Sequence, residues 1–587
     1  MFTKINNLNS KQVFLWLLIL TLLVLIFFSA PKNWWHFFFL DHDYPFDFYD
    51  WKSLYINQSN GRISTLALIG LLPNVIASQM VGSAVPFFQS FVIKIIPLIF
   101  FFYIFAKKIT EWFIDEVCTW QDYLFISLAT FLVFFGLTGQ MFFSAGIFYS
   151  FIFQLNFCLF LLHLCAYFLN PVLIYQEKYI YLAAAVIQTS IISGSTVIPM
   201  SLYFSILYFG SYKKVLNLKR ILIIVLLILS ALTIFILSRY QNISLDTGLD
   251  ELNTRVINKG YENITGGYFY QFIGFSNWGI YTGWSDRLIG GFVNYFDKPQ
   301  YQIALFLLNS AALYWLLKNS LYRLSMIVLC FLIFSVGSQP PMGFIFIWLV
   351  EYIPGFESIR TPDNKFGLYT QAILIVALIK SWTWYSKNIK KLLLFALVLV
   401  SIFNLYPIFL GKVLFGYSSQ FSPNSTFILN IEYEKSLISK LQKDDFIMAI
   451  PGYGVFDHPS GRVGLIDPIY SLHSKVISYS TAIADPKSSY FIALNSGNLS
   501  GLKDVNAIIA RKPHHNVLDR AQLSAAGFNN VYEDQYTIIY KSTLKAGDLQ
   551  FEDYWLWWIS VGCLILYSTL FYFIFQYIFR LKKIQDA

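Results

Sequence analysis

Long apolar runs alternate with short polar segments along almost the whole chain. A helix needs about 20 such residues to cross the hydrocarbon core of a bilayer, and these runs are apolar on all sides, unlike amphipathic surface helices. The pattern predicts about twelve membrane-spanning helices. The predicted spans are residues 13–28, 91–105, 123–137, 141–169, 180–192, 198–209, 221–237, 301–317, 324–336, 366–379, 392–410 and 555–579.

One further apolar run, residues 343–352, is too short to cross and is bracketed by Pro340-Pro341 and Pro354-Gly355. We predict a re-entrant or surface-lying helix on the outer side, because such backbone is tolerated where protein or water lines it.

The basic residues predict the orientation of the chain. Short cytoplasmic loops are enriched in Lys and Arg. Placing every basic cluster on that side puts both termini in the cytoplasm and leaves the first span as an uncleaved anchor. The clusters are Lys4/Lys11, Lys107/Lys108, Lys213/Lys214/Lys219/Arg220, Lys318/Arg323, Lys387/Lys390/Lys391 and Arg580/Lys582/Lys583. The net charge of +9 is therefore a topology signal, and separate loops do not favour nucleic-acid binding.

Three segments are predicted outside the membrane, namely residues 31–90, 242–300 and 411–553. The first is acidic, and the second is rich in Gly, Tyr and Trp, which suits a membrane-interface belt or a carbohydrate-stacking surface. The third contains four short strand-like stretches and two helical ones, at 436–442 and 519–526.

The expected fold class is therefore an all-α polytopic membrane protein. A small extracytoplasmic α/β domain at 411–553 separates the multi-pass domain, 1–410, from the last helix and basic tail, 554–587.

Composition agrees with a membrane protein, since 56% of the 587 residues are hydrophobic and only 13% are charged. The predicted topology places all five cysteines in the membrane or the cytoplasm, so no disulfide framework is expected. The sequence has no Walker A loop and no Gly-x-Ser-x-Gly nucleophile turn.

Four aspartates follow the first span closely, at positions 41, 43, 47 and 50. An ionised Asp41 or Asp43 could act as a general base towards an attacking hydroxyl. Two carboxylates this close could instead hold a divalent cation. The structural alternative is a solvated turn at the membrane surface, and the spacing alone leaves all three open.

A second candidate stretch, residues 356–366, precedes the tenth predicted span. Arg360 can form paired hydrogen bonds with phosphate oxygens, Lys365 adds a point charge, and Pro362 stiffens the turn between them. These basic side chains could equally bind lipid headgroups.

Together, the acidic first loop, the Phe-x-x-x-Arg-x-Pro-x-x-Lys-Phe stretch and the tail LKDVNAIIARK…LSAAGFNNVYEDQYTIIYKS resemble the GT-C membrane glycosyltransferases. The nearest members are of the YfhO and arabinofuranosyltransferase types. The resemblance implies sugar transfer from a polyprenyl-phosphate donor to a glycan, lipid or protein outside the cytoplasm of a bacterium. It implies Asp43, or else Asp41, as the base, with Arg360 and Lys365 holding the lipid phosphate.

Two other functions are compatible with the same pattern. One is a flippase or transporter of lipid-linked glycans or lipids, which would need polar side chains along a path through helices that look poor in them. The other is a scaffold whose outer domain binds a partner. Membrane lipids are expected partners in every case.

Overall fold

The computed structural model describes much of the helical part of the chain and most of a small sheet unit. The described residues are 10–29, 37–39, 95–113, 119–144, 151–193, 196–210, 225, 267–275, 296–352, 362–409, 428–442, 445–450, 453–459, 461–467, 469, 473, 476–478, 493–494, 496, 499–502, 504–512, 514, 518–543 and 554–585.

The described part of the chain is mostly helical. Its α-helices before the sheet unit are α1 (Ser10–Ser29), α2 (Ile96–Phe113), α3 (Trp120–Phe135), α4 (Leu137–Ser144), α5 (Phe151–Leu169), α6 (Glu177–Ser193), α7 (Val197–Tyr208), α8 (Gly267–Phe272), α9 (Pro299–Lys318), α10 (Tyr322–Ser335), α11 (Gly343–Tyr352), α12 (Pro362–Ser381) and α13 (Lys387–Phe409). The sheet unit contains α14 (Ile431–Ile438) and α15 (Arg520–Ala525), and the last helix is α16 (Tyr554–Gln585).

Local sequence explains where these helices begin and end. Thr119 caps α3 through a reciprocal pair of hydrogen bonds with Asp122, in which each side chain accepts from the other residue's backbone N–H. This capping box satisfies two of the donors that a helix N-terminus leaves free. At the other end, Gly136 separates α3 from α4, so the predicted run 123–137 stops earlier than its apolar pattern suggests.

Helix α12 forms the centre of the helical unit. It packs against α3, α5, α9 and α10, and it is buried almost all the way round. Because neighbouring helices surround it, its side chains face protein on every side, as expected for a helix that is apolar all round.

Three helices of the described residues are long and apolar enough to cross a membrane, namely Phe151–Leu169, Lys365–Trp384 and Lys387–Phe409. The prediction of about twelve spans is not supported, although most of the predicted runs form helices. Several are simply short. The twelve residues of α7, for example, rise only about 18 Å, against a hydrocarbon core of about 30 Å. The run at 221–237 lies outside the described residues.

The short helix predicted at 343–352 is α11, with the same bounds. Its position relative to a bilayer stays a prediction.

The sheet unit is built around five strands in the order β6-β3-β7-β9-β8. They are β3 (Ile447–Ile450), β6 (Val476–Ser478), β7 (Ala507–Arg511), β8 (Phe528–Glu533) and β9 (Thr537–Ser542). β3 pairs in parallel with β6 and β7, while β9 runs antiparallel to β7 and β8. A separate hairpin consists of β4 (Tyr453–His458) and β5 (Gly461–Ile466).

The four stretches expected to form strands correspond to β3, β6, β7 and β9, and α15 matches the helix predicted at 519–526. The helix predicted at 436–442 instead begins earlier, as α14.

A two-stranded sheet joins distant parts of the chain. β1 (Phe37–Phe39), just before the acidic cluster, pairs antiparallel with β2 (Ile428–Asn430), which leads directly into α14. The segment after the first helix is therefore hydrogen-bonded to the start of the sheet unit.

Candidate functional site

Three of the four predicted site residues, Asp41, Asp43 and Arg360, lie outside the residues that the structure describes. The fourth, Lys365, is partly buried in the first turn of α12. Whether these four side chains meet, as a base, a cation site or a phosphate site requires, stays a prediction.

A small cavity of about 20 Å³ lies among α3, α4, α9 and α12, beside the segment that follows α8. Most of its wall is aliphatic, and its polar side chains are those of Thr138, Tyr301, Asn309 and Gln371. The remaining lining residues are Leu132, Val133, Gly136, Leu137, Gly139, Ile273, Gly274, Leu305, Leu368 and Ile375. A space of this volume holds about one water molecule, and its aliphatic wall with a few convergent polar groups resembles the lining of a small-molecule site.

The turn after α8 closes one side of this cavity. Gly274 has a φ of +76°, and a Cβ atom at this position would come within 2.7 Å of the Gln371 side chain. Both the left-handed backbone and the close approach require glycine. The Thr138 hydroxyl donates to the Gly274 carbonyl at 2.9 Å, so α4 also holds this turn.

Two amide side chains hold the C-terminal end of α8. Asn309 Nδ2 on α9 donates to the Phe272 carbonyl at 2.6 Å and to Gln371 Oε1 at 3.0 Å. Gln371 Nε2 on α12 also donates to the Phe272 carbonyl, at 3.1 Å. The last carbonyls of a helix have no partner within the helix, so these amides stabilise α8 against α9 and α12.

A second set of polar groups lies behind Tyr301. The Tyr301 hydroxyl donates to Asn404 Oδ1 at 2.9 Å, and Gln140 Nε2 donates to the Asn404 carbonyl at 2.7 Å. Gln140 and Asn404 are both buried. The cavity is thus connected, through Tyr301, to a polar junction among α4, α9 and α13.

The helical unit also contains a purely structural polar cluster away from the cavity. Asn156 Nδ2 on α5 donates to the hydroxyls of Thr189 and Ser190 on α6, and Asn156 Oδ1 accepts from the Tyr369 hydroxyl on α12, all within 2.9 Å. These bonds satisfy the buried amide within the protein. They fix the packing of α5, α6 and α12 against one another.

Sequence reasoning missed these amides, because it judged the helices poor in polar side chains. Each is a single residue inside an apolar run, which no local motif marks. One signal was present, however: an Asn or Gln in the middle of a membrane helix is unusual enough to indicate a polar contact between helices. Asn156, Asn309, Gln371 and Asn404 all fit this description.

The sheet unit holds a compact cluster of buried charges. Arg511, at the end of β7, donates through Nε and one terminal nitrogen to both oxygens of Asp467, at 2.8 and 2.7 Å. The same terminal nitrogen lies 2.8 Å from Glu434 Oε2, and His458 Nε2 lies 3.1 Å from Glu434 Oε1. All four side chains are buried.

The electrostatics of this cluster favour the charged forms of Glu434 and Arg511. Burial disfavours the charge of Glu434, but Arg511 and His458 outweigh it and hold the pKa of that carboxyl below its ordinary value of 4.5. Burial likewise disfavours the charge of Arg511, yet Asp467 and Glu434 raise the pKa of its guanidinium. The described residues contain no group of three or more His, Cys, Asp or Glu side chains suited to a metal ion. Through its ion pairs the cluster connects α14, β7 and the end of the hairpin.

Comparison with known proteins gives one match. A family described as "Plant PDR ABC transporter associated" matches residues 528–583, a range that contains β8, β9 and nearly all of α16. No curated protein and no solved structure matches the chain.

This match overturns the earlier resemblance. Part of the tail that resembled a glycosyltransferase domain lies inside the matched range, and that range is similar to a family described by its association with plant ABC transporters. The prediction of a GT-C glycosyltransferase of the YfhO or arabinofuranosyltransferase type is therefore wrong, and the transporter alternative fits better. Acidic loops and basic turns are common at membrane surfaces, so the few residues behind that resemblance were not specific to one chemistry.

Proposed function

We propose that this chain is a membrane component of a transport system for amphipathic molecules. The observation that carries the proposal is the match of β8, β9 and α16 to a family described as associated with ABC transporters. Because α16 packs along α6, the matched region is continuous with the helical unit.

The cavity supports the proposal by its position and its wall. It adjoins α12, the central helix, and combines an aliphatic lining with four neutral polar side chains. Amphipathic molecules need both kinds of surface, and sites between the helices of a bundle are a common place for them. The polar residues that a transporter requires are thus available at the cavity.

The energy source would lie outside this sequence. ABC transporters use ATP, and a phosphate-binding loop of the Walker A type is needed to hold it. No such loop occurs in these 587 residues. We therefore expect a separate nucleotide-binding unit to act together with this chain.

The proposed arrangement in the membrane keeps the basic loops and both termini in the cytoplasm and the sheet unit outside. We propose that the shorter apolar helices, such as α3, α7 and α10, also lie within the bilayer and complete the bundle around α12. About twelve crossings remains our working topology for the whole chain.

The test is lipid transport by membrane vesicles from the cells that naturally make the full chain, so that the expected nucleotide-binding unit is present with it. Fluorescently labelled lipids with charged and uncharged headgroups would be offered with and without ATP, and their arrival in the opposite leaflet followed by quenching. We expect ATP-dependent movement that is absent from vesicles lacking the protein. Equal movement in both kinds of vesicle, for every lipid, would refute the function.

Two matched variants connect transport to the cavity. Asn309→Leu removes a buried amide that lines the cavity, whereas Asn156→Leu removes a buried amide of the structural cluster. Both should destabilise the protein by about 1–3 kcal/mol, the cost of losing buried hydrogen bonds. At equal amounts of folded protein, only Asn309→Leu should lower transport, and equal losses in both would exclude the cavity as the transport site.

A further inference from the structure

The connection between α12 and α13 lies at one surface of the membrane. The two helices contain the candidate spans Lys365–Trp384 and Lys387–Phe409, and a short turn joins them. The end of α9 lies at the same level, because the ring centroids of Tyr314 and Trp384 are only 6.0 Å apart. The α9–α10 connection, which begins one helical turn after Tyr314, therefore shares this surface.

This surface has an excess of positive charge. The α9–α10 and α12–α13 connections, residues 318–323 and 380–391, contain six basic residues and no acidic ones. Three of the six already interact with other parts of the protein: with a carboxylate, an aromatic ring and a backbone carbonyl. These three are Lys390 with Asp122 at 3.8 Å, Lys380 with the Phe113 ring, and Arg323 with the Leu207 carbonyl at 2.6 Å.

The other three basic residues form an exposed patch with two aromatic side chains. Lys318, Lys387 and Lys391 are exposed, and no carboxylate of the described residues pairs with them. Lys387 and Lys391 are four positions apart on α13 and therefore lie on one face of it. Tyr314 and Trp384, which are 55% and 44% exposed, lie close to them in the chain. We call these five residues the lysine–aromatic patch, and its uncompensated charge attracts anions.

The helix face that continues from the lysines towards the bilayer centre is apolar. Phe395 and Ile402 follow Lys391 on the same face of α13, four and eleven positions further on. They are 68% and 58% exposed and lie inside the candidate span, so they face the hydrocarbon of the membrane. Tyr and Trp favour the depth between hydrocarbon and headgroups. Ammonium groups, aromatic rings and an apolar face thus follow one another in the order of a phospholipid's headgroup, ester region and acyl chains.

We propose that the lysine–aromatic patch binds an anionic phospholipid of the surrounding leaflet. The phosphate oxygens accept hydrogen bonds from the lysine ammonium groups, each of which has three donors, and the acyl chains lie along the face of Phe395 and Ile402. A zwitterionic phospholipid binds less tightly, because its own cationic group comes close to the lysines. The inference rests on the placement of α12 and α13 in the membrane and is independent of what the chain transports.

The first test compares two lipids on the unchanged protein. Native mass spectrometry of the full chain in detergent would measure the binding of phosphatidylglycerol, which is anionic, and of phosphatidylcholine, which is zwitterionic, with the same acyl chains. Phosphatidylglycerol should bind at least about tenfold more tightly. Equal affinity for the two lipids would overturn the proposal. The assay involves no transport, so its result and that of the transport test are independent.

Single variants then locate the site. Lys387→Gln should lower the preference for phosphatidylglycerol about fivefold, the contribution of one basic residue near an anionic membrane surface, and Lys387→Arg should keep it. Lys107→Gln is the matched control, because it removes an exposed lysine that already lies 3.8 Å from Glu111, and it should leave the preference unchanged. Equal losses in Lys107→Gln and Lys387→Gln would show a diffuse attraction to the net charge and would overturn the patch as the binding site.

Discussion

At the scale of single residues, burial decides which charged side chains contribute to the stability of the fold. Arg511 faces two carboxylates, Asp467 and Glu434, all inaccessible to water, whereas the ion pair of Arg520 with Glu533 lies at the surface. A buried pair is costly to break because the remaining charge has no solvent to stabilise it, while a surface pair contributes little. The sheet unit therefore depends on the Arg511 cluster for its electrostatic stability.

This cluster should make the sheet unit sensitive to acid. The pKa of Glu434 is lower in the folded protein than its ordinary value of 4.5, so the unfolded chain binds more protons as the pH falls below that value. The contribution of Glu434 to the free energy of unfolding is therefore fully present well above pH 4.5. It is lost as the pH falls through the lowered pKa of the folded protein. Hydrogen exchange of β7 in the full chain, measured from pH 7 to pH 3, should show protection falling over the acid part of the range.

Replacing the carboxylate separates this effect from general acid denaturation. Glu434→Gln should lower the free energy of unfolding by about 1–3 kcal/mol at neutral pH. It should also weaken the pH dependence of hydrogen-exchange protection in β7. Glu432→Gln changes an exposed carboxylate on the same helix and should leave both unchanged. If Glu434→Gln and wild type lost protection in parallel, the acid sensitivity would have another origin.

Single polar residues are also where sequence reasoning failed. Asn309 and Gln371 are 62 positions apart, and Thr138 bonds to a carbonyl 136 positions away. No local pattern encodes such partners, because an amide inside an apolar run interrupts no periodicity. The charge cluster was missed for the same reason, since His458 and Arg511 come together only through the fold.

At the scale of elements, α8 and the turn after it show how tightly one segment is built into the cavity wall. Gly274 and Gly210 both have a positive φ, of 76° and 72°. They differ in their surroundings, because a Cβ at 274 would collide with Gln371 while nothing lies within 4 Å of a Cβ at 210. Comparing the two glycines therefore distinguishes the cost of a left-handed backbone from the cost of a collision with Gln371.

Alanine at each glycine should measure the two effects. Gly210→Ala should cost about 1–2 kcal/mol, the usual penalty for a left-handed residue with a side chain. Gly274→Ala should cost more and should loosen α8, because Gln371 must move away from its bonds with the helix end. Thermal unfolding and hydrogen exchange of residues 267–275 would check this. Equal destabilisation at the two sites would show that the Gln371 side chain can move away from the alanine methyl group at position 274 without a further loss of stability.

The sequence predicted where the helices lie better than it predicted which of them are long enough to cross a membrane. The apolar run at 13–28 became Ser10–Ser29, and 392–410 became Lys387–Phe409, because hydrophobic side chains must leave water in any fold. Crossing a bilayer also requires length, and short runs such as 198–209 gave helices too short to count as candidate spans. Helix α14 began earlier than predicted because β2 leads straight into it, with Glu432 and Glu434 in its first turn, where acids are favourable.

At the scale of the whole molecule, the helical unit and the sheet unit are linked at both ends. α13 leads towards β2, and the chain leaves β9 for α16, which returns to pack on α6. The pairing of β1 with β2 adds a third link. The match to a transporter-associated family covers the β9–α16 link, so the part of the chain with a known resemblance is also one of the connections between the two units.

The β1–β2 pairing has a consequence for biosynthesis. Phe38 pairs with Leu429, and helices α2 to α13 are made between them. At roughly 5–20 residues per second, β1 leaves the ribosome on the order of tens of seconds before its partner exists. Ribosome-bound chains that stop before Ile428 should therefore leave residues 37–39 unprotected from hydrogen exchange, and chains that extend past α14 should protect them. Protection in the shorter chains would mean that another partner holds β1. Otherwise, the strand joins its sheet as a late step, after the helices made between the two strands have been synthesised.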